Sequence, residues 1–164
     1  MIGAGFGITP DAADFASLRD RFLELYQNAL CVHTQLFPGI PELLGSIESR
    51  PMAWGIVTNK AMRFTDPLVR QLGLTERAAC IVSGDTTARA KPHPDSLLHA
   101  AEMAAVSPAR CWYVGDDLRD IQAAHAAGMR AIAVRYGYLG DGAPPDAWGA
   151  EIVIDHPMQV IEFV

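Results

Sequence analysis

The chain has 164 residues, 50% of them hydrophobic and 20% charged, with a formal net charge of −6. That apolar share can bury a core and excludes disorder, and the acidic balance leaves no basic stripe to neutralise nucleic-acid phosphates. No apolar run approaches membrane-spanning length, no signal-peptide pattern opens the chain, and Cys31, Cys80 and Cys111 lack Cys-x-x-Cys spacing, so the expectation is a cytoplasmic protein with reduced thiols.

In chain order, Gly3, Gly5 and Gly7 invite a dinucleotide-binding reading, but the fingerprint wants glycine where Ile8 stands and a strand that two residues cannot provide. Thr9-Pro10-Asp11 is a helix start, followed by a core-facing apolar stripe of Phe15, Leu18, Phe22, Tyr26 and Ala29. Phe37-Pro38-Gly39 marks a turn, and Leu43, Leu44 and Ile47 give a second helix. From there the pattern alternates. Strands near 53–57, 79–83, 111–115, 130–135 and 151–154 interleave with helices near 61–72, 94–105, 117–127 and 157–162, which predicts an α/β fold with a parallel sheet in a three-layer, Rossmann-like core.

The densest chemistry lies in Trp112 to Asp120, where an apolar strand runs into a glycine turn carrying Asp116, Asp117 and Asp120. Carboxylates packed that closely repel unless a cation joins them, and an all-oxygen set suits Mg²⁺. Helix capping explains one such aspartate without any ligand. The strand ending at Val57 delivers Thr58, Asn59 and Lys60, groups that suit a phosphoryl oxygen but also make an ordinary polar turn. Lysine occurs at positions 60 and 91 alone, both at strand-end loops, where a compact ammonium serves as a point charge beside phosphate. The five histidines share no metal-ligand spacing, so zinc is not expected, and His93 reads as a loop histidine.

Thr58-Asn59, Lys91-Pro92 and Gly115-Asp116-Asp117-Leu118-Arg119-Asp120 resemble, in order and spacing, the second, third and fourth motifs of the haloacid dehalogenase superfamily of phosphatases. The likeness runs over nearly the whole chain. It is closest to phosphoglycolate phosphatases, with the similar N-acetylmuramic acid 6-phosphate phosphatases as the alternative. Two-component receivers also use an acidic pair, a Thr or Ser and a Lys, but they place the acidic pair first and lysine last.

The resemblance implies a Mg²⁺-dependent phosphomonoester hydrolase working through an aspartyl-phosphate. Asp116 would ligate Mg²⁺, Asp120 would support it, Asp117 would touch a metal-bound water or cap the helix, Thr58 and Asn59 would bind phosphoryl oxygens, and Lys91 would orient the nucleophile and stabilise charge. It also implies a partial helical cap over 1–37 and an incomplete core over 38–164. The family's first motif, an Asp-x-Asp-Gly turn that carries the nucleophile, occurs nowhere in the chain. Met1 to Gly7 resembles instead the middle of the cap. The expectation is therefore a core without its central nucleophile strand, with the strands before Thr58 and Asp116 separated or bridged by something else. Such a chain alone would be inactive, or a fragment that binds phosphate or a partner. The partners expected are a small phosphorylated metabolite and either a second copy or the missing amino-terminal segment.

Overall fold

The computed structural model describes residues 5–164, so the first half of the glycine-rich opening, Met1 to Ala4, lies outside the described residues. The chain divides into two compact units, one ending at Gln35 and the other spanning Leu36–Val164.

The first unit contains α1 (Phe15–Asn28). It starts later than Thr9 predicts, because turns intervene: Ala12 N–H donates to Thr9 O and Phe15 N–H donates to Ala12 O, both at 3.0 Å. Phe15, Leu18, Phe22 and Tyr26 are half-buried, Ala29 is exposed, and no residue of α1 is buried, so the stripe is less enclosed than a core face.

The second unit opens with α2 (Ile40–Glu48), whose N-cap Gly39 has φ 88°, a left-handed conformation that glycine adopts without strain. There follow β1 (Ile56–Val57), α3 (Met62–Gln71), β2 (Ile81–Val82), α4 (Asp95–Met103), β3 (Trp112–Gly115), α5 (Leu118–Ala126), β4 (Arg130–Val134) and β5 (Ile152–Ile154). All strand pairings are parallel. Alternation along β4 builds the layers: Ala131 and Ala133 join Leu97 and Ala101 of α4 and Ile121, Ala123 and Ala124 of α5. Ile132 and Val134 join Leu43 and Ile47 of α2. Successive strand residues face opposite sides, so one strand serves both helical layers. The segment Pro157–Glu162 is 3₁₀ rather than α-helical, set by Pro157 and a capping box between His156 and Gln159.

In place of one continuous sheet, β1 pairs with β2, and β4 lies between β3 and β5 in a second sheet. Among the described residues no strand joins β1 to β3. Side chains connect them: the Tyr113 hydroxyl on β3 donates to Val57 O on β1 at 3.0 Å, across 56 positions of sequence. No helix of the described residues is long and apolar enough to cross a membrane.

Candidate active site

The loops after β1 and β3 meet at the carboxyl ends of their strands, where α/β sheets bind ligands. Asn59, Lys91, Asp116, Asp117, Arg119 and Asp120 line a cavity of about 150 Å³ there.

Lys91 reaches this point from the loop before α4, and its Nζ finds three partners. It donates to Val57 O at 3.0 Å and to the Tyr113 hydroxyl at 2.7 Å, and it pairs with Asp120 Oδ1 at 2.8 Å. An ammonium has three protons, so all are engaged. The Lys91 and Asp120 side chains are each 9% exposed, which places this ion pair in a poorly solvated setting. Burial, together with the charges of Asp120 and Asp116, pushes the Tyr113 phenol well above its ordinary range, so its hydroxyl stays protonated and can donate to Val57. Gly115 is required where β3 ends, because a Cβ there would collide with the Asp120 side chain.

Asn59 holds the lysine loop by its backbone. Its Oδ1 accepts the Lys91 N–H and its Nδ2 donates to Lys91 O, both at 3.0 Å. One amide proton remains for a ligand. Thr58 does not line the cavity; its hydroxyl oxygen accepts the Lys60 N–H at 3.1 Å, the ordinary polar turn that the sequence also allowed.

The three carboxylates have separate fates. Asp117 is the N-cap of α5, accepting the Arg119 N–H at 2.8 Å and pairing with the Arg119 guanidinium. That guanidinium holds the Asp117 carboxyl down at about 2. Asp120 is committed to Lys91. Asp116 accepts the Tyr138 N–H on Oδ2 at 2.8 Å, and no cation pairs with it among the described residues. The approach is close enough that a Cβ at Gly137 would fall on the Asp116 side chain. Burial first, and the Asp116 charge second, push the Tyr136 phenol up to about 12.

Among the described residues no three His, Cys, Asp or Glu side chains are grouped to hold a metal ion by themselves. Mg²⁺ does not ask for that, since it binds through one or two carboxylates and keeps waters and substrate oxygens as its other ligands. Asp116, an oxygen donor with no cation paired to it among the described residues and one of three carboxylates lining the cavity, fits this demand. Asp117, whose oxygens are both engaged by Arg119, does not offer a second ligand in this arrangement. Arg119 itself was not anticipated from the sequence; the available signal is an arginine in the first turn after an aspartate N-cap.

The model of the haloacid dehalogenase-like hydrolase family matches residues 6–134. The N-acetylmuramic acid 6-phosphate phosphatase of Pseudomonas putida is 44% identical over 160 residues, covering 98% of this chain and 72% of that protein. The phosphoglycolate phosphatase of Xanthomonas campestris is 43% identical over 153 residues, covering 93% of this chain and 69% of that protein. Among solved structures, that of a predicted phosphoglycolate phosphatase from Haemophilus somnus superposes with a TM-score of 0.85 at 24% identity, covering 94% of this chain and 68% of that one, a likeness of fold.

Proposed function

This chain belongs to the haloacid dehalogenase-like hydrolase family, its relatives are phosphatases, and from that membership we propose that it provides the phosphate-binding core of a Mg²⁺-dependent phosphomonoester hydrolase. The observation that carries the reading is the convergence of Lys91, Asn59 and Asp116 on one cavity at the carboxyl ends of strands from two sheets.

In this reading Lys91 supplies fixed positive charge beside a phosphoryl oxygen, and Asn59 offers its remaining amide proton while keeping the lysine loop in register. Asp116 holds Mg²⁺, which when bound neutralises phosphate charge and so lets a carboxylate approach phosphorus. Asp120, buried against Lys91, fixes where the ammonium sits. Asp117 acts on the scaffold, capping α5 and orienting Arg119 at the cavity. None of these carboxylates is free to attack phosphorus while also serving in its assigned role, and the chain contains no Asp-x-Asp triplet. The family resemblance implies that the nucleophilic aspartate of an aspartyl-phosphate route is not among these residues and would be supplied on a strand between β1 and β3, which no strand joins among the described residues. The substrate is a small phosphomonoester, of which phosphoglycolate and N-acetylmuramic acid 6-phosphate are the candidates that the relatives name.

Calorimetric titration with inorganic phosphate, with and without Mg²⁺, tests the site. Binding is expected to require Mg²⁺ and to be lost in Asp116→Asn, with no turnover of p-nitrophenyl phosphate by the chain alone. Phosphate binding that ignores both Mg²⁺ and Asp116→Asn overturns the site. Mg²⁺-dependent turnover by these residues alone overturns the external nucleophile.

A further inference from the structure

The charged side chains that line the cavity are Lys91 and Arg119 on one side of the balance and Asp116, Asp117 and Asp120 on the other, so anions outnumber cations before any ligand arrives. A phosphoryl dianion entering such a lining needs a cation that can turn towards it. Lys91 is poorly placed to turn, because its side chain is 9% exposed and its ammonium holds partners on β1, β3 and α5. Arg119 differs on each count. Its side chain is 59% exposed, and among the described residues its guanidinium meets one partner, Asp117, two positions away. Nε donates to Asp117 Oδ1 at 2.9 Å and Nη2 to Asp117 Oδ2 at 2.5 Å, which leaves three of the five guanidinium protons unengaged.

The bonds that hold Asp117 are separable. The Arg119 main-chain N–H donates to Oδ1 at 2.8 Å and so caps α5, whereas Oδ2 is engaged by the guanidinium alone among the described residues. Rotation of the Arg119 side chain therefore uncovers Oδ2 and leaves the helix start intact. An ion pair this exposed is weak, and a phosphate dianion offers the same two-pronged geometry with more charge. Resting on the Mg²⁺ and phosphate reading above, we propose that Arg119 is the mobile anion-binding residue of this cavity: its guanidinium passes from Asp117 to a phosphoryl oxygen, and the uncovered Asp117 Oδ2 becomes a second carboxylate oxygen available to Mg²⁺. One side-chain rotation thus ties the two ligands together. Without phosphate, Arg119 occupies Asp117 and Asp116 alone is offered to the metal; with phosphate, the metal gains an oxygen and the phosphate gains a guanidinium. Each ligand then strengthens the other's binding by the same factor.

The test is calorimetric titration of wild type, Arg119→Ala, Asp117→Asn and the double variant, first with Mg²⁺ alone and then with inorganic phosphate in saturating Mg²⁺. Arg119 is exposed and asparagine keeps an N-cap side chain, so all four chains are expected to fold. Removing the guanidinium uncovers Asp117 without any phosphate, so Arg119→Ala should bind Mg²⁺ alone roughly three- to five-fold more tightly than wild type. The same variant should bind phosphate roughly ten-fold less tightly, the scale of one lost charge-assisted hydrogen bond. In the Asp117→Asn background, where no carboxylate waits to be uncovered, the gain in Mg²⁺ affinity should disappear. A gain of equal size in that background makes Arg119 a distant charge and overturns the proposal, as does a Mg²⁺ or a phosphate affinity that Arg119→Ala leaves unchanged. Those results leave the site itself standing; a wild-type chain that binds neither Mg²⁺ nor phosphate overturns both.

Discussion

Replacing Lys91 with methionine keeps the apolar stem in place and removes the charge, so the cost falls on the groups the ammonium satisfied. Val57 O keeps the Tyr113 hydroxyl as a donor, whereas Asp120, whose side chain is 9% exposed, loses its ion-pair partner. Stripping one member from a buried pair costs about 3–5 kcal/mol, because the remaining charge stays desolvated. For a chain of this length each kcal/mol shifts Tm by about 2–4 °C, so the variant should melt roughly 6–20 °C below wild type. The double variant Lys91→Met with Asp120→Asn removes the stranded charge as well and should recover most of the loss, so the two changes are strongly non-additive in the cycle. Urea unfolding of the four proteins measures it. A single variant within about 1 kcal/mol of wild type, or a double variant no more stable than Lys91→Met, refutes the claim that a buried ion pair sits under this cavity.

Asp117→Asn keeps an N-cap side chain and removes the ion pair with Arg119. Because that pair holds Asp117 at about 2, below its unperturbed 3.8, its stabilisation is present above the higher value and lost as pH falls towards the lower. The wild-type advantage over Asp117→Asn, no more than about 1 kcal/mol for so exposed a pair, should vanish in acid unfolding between those limits; an advantage constant from pH 5 to about pH 2 refutes it. Ser96 is 2% exposed and its hydroxyl has no hydrogen-bond partner among the described residues, so Ser96→Ala should raise the urea midpoint, by up to about 1 kcal/mol in stability, and a fall shows that the hydroxyl is satisfied.

The parts of this molecule that the sequence makes legible are those where local pattern and chemistry coincide. Asp116, Asp117 and Asp120 sit at a strand-to-helix turn, and Lys91 is one of two lysines, so each stands out before any contact is known. Asn59 is found in the cavity as expected, but its part in clamping Lys91 is not legible, since both hydrogen bonds go to backbone atoms 32 positions away. Tyr113 reads as one more apolar strand residue, and nothing local announces that its hydroxyl ends on β1. The split into two sheets follows a similar logic: strand patterns show that β1 and β3 exist, but pairing depends on which strand lies between them. The interleaved helices and the alternation along β4 were legible because they repeat, and repetition is what periodicity detects.

Lys91 also joins the site to the fold. Where no strand pairing links β1 to β3 among the described residues, its ammonium touches Val57 O of one sheet, the Tyr113 hydroxyl of the other and Asp120 of the helix behind it. With every proton engaged, an arriving phosphoryl oxygen must take the place of an existing partner. Asp120 is the costliest to release, because its charge would be stranded in a poorly solvated setting. The Tyr113 hydroxyl, once released, would leave its own lone pairs unmet in an enclosed position. Val57 O loses least, since the same Tyr113 hydroxyl already donates to it and would continue to do so. The redundancy at Val57 is thus what frees one ammonium proton for a ligand without breaking the connection between the sheets, and it explains why a tyrosine, rather than a plain apolar residue, suits this position of β3.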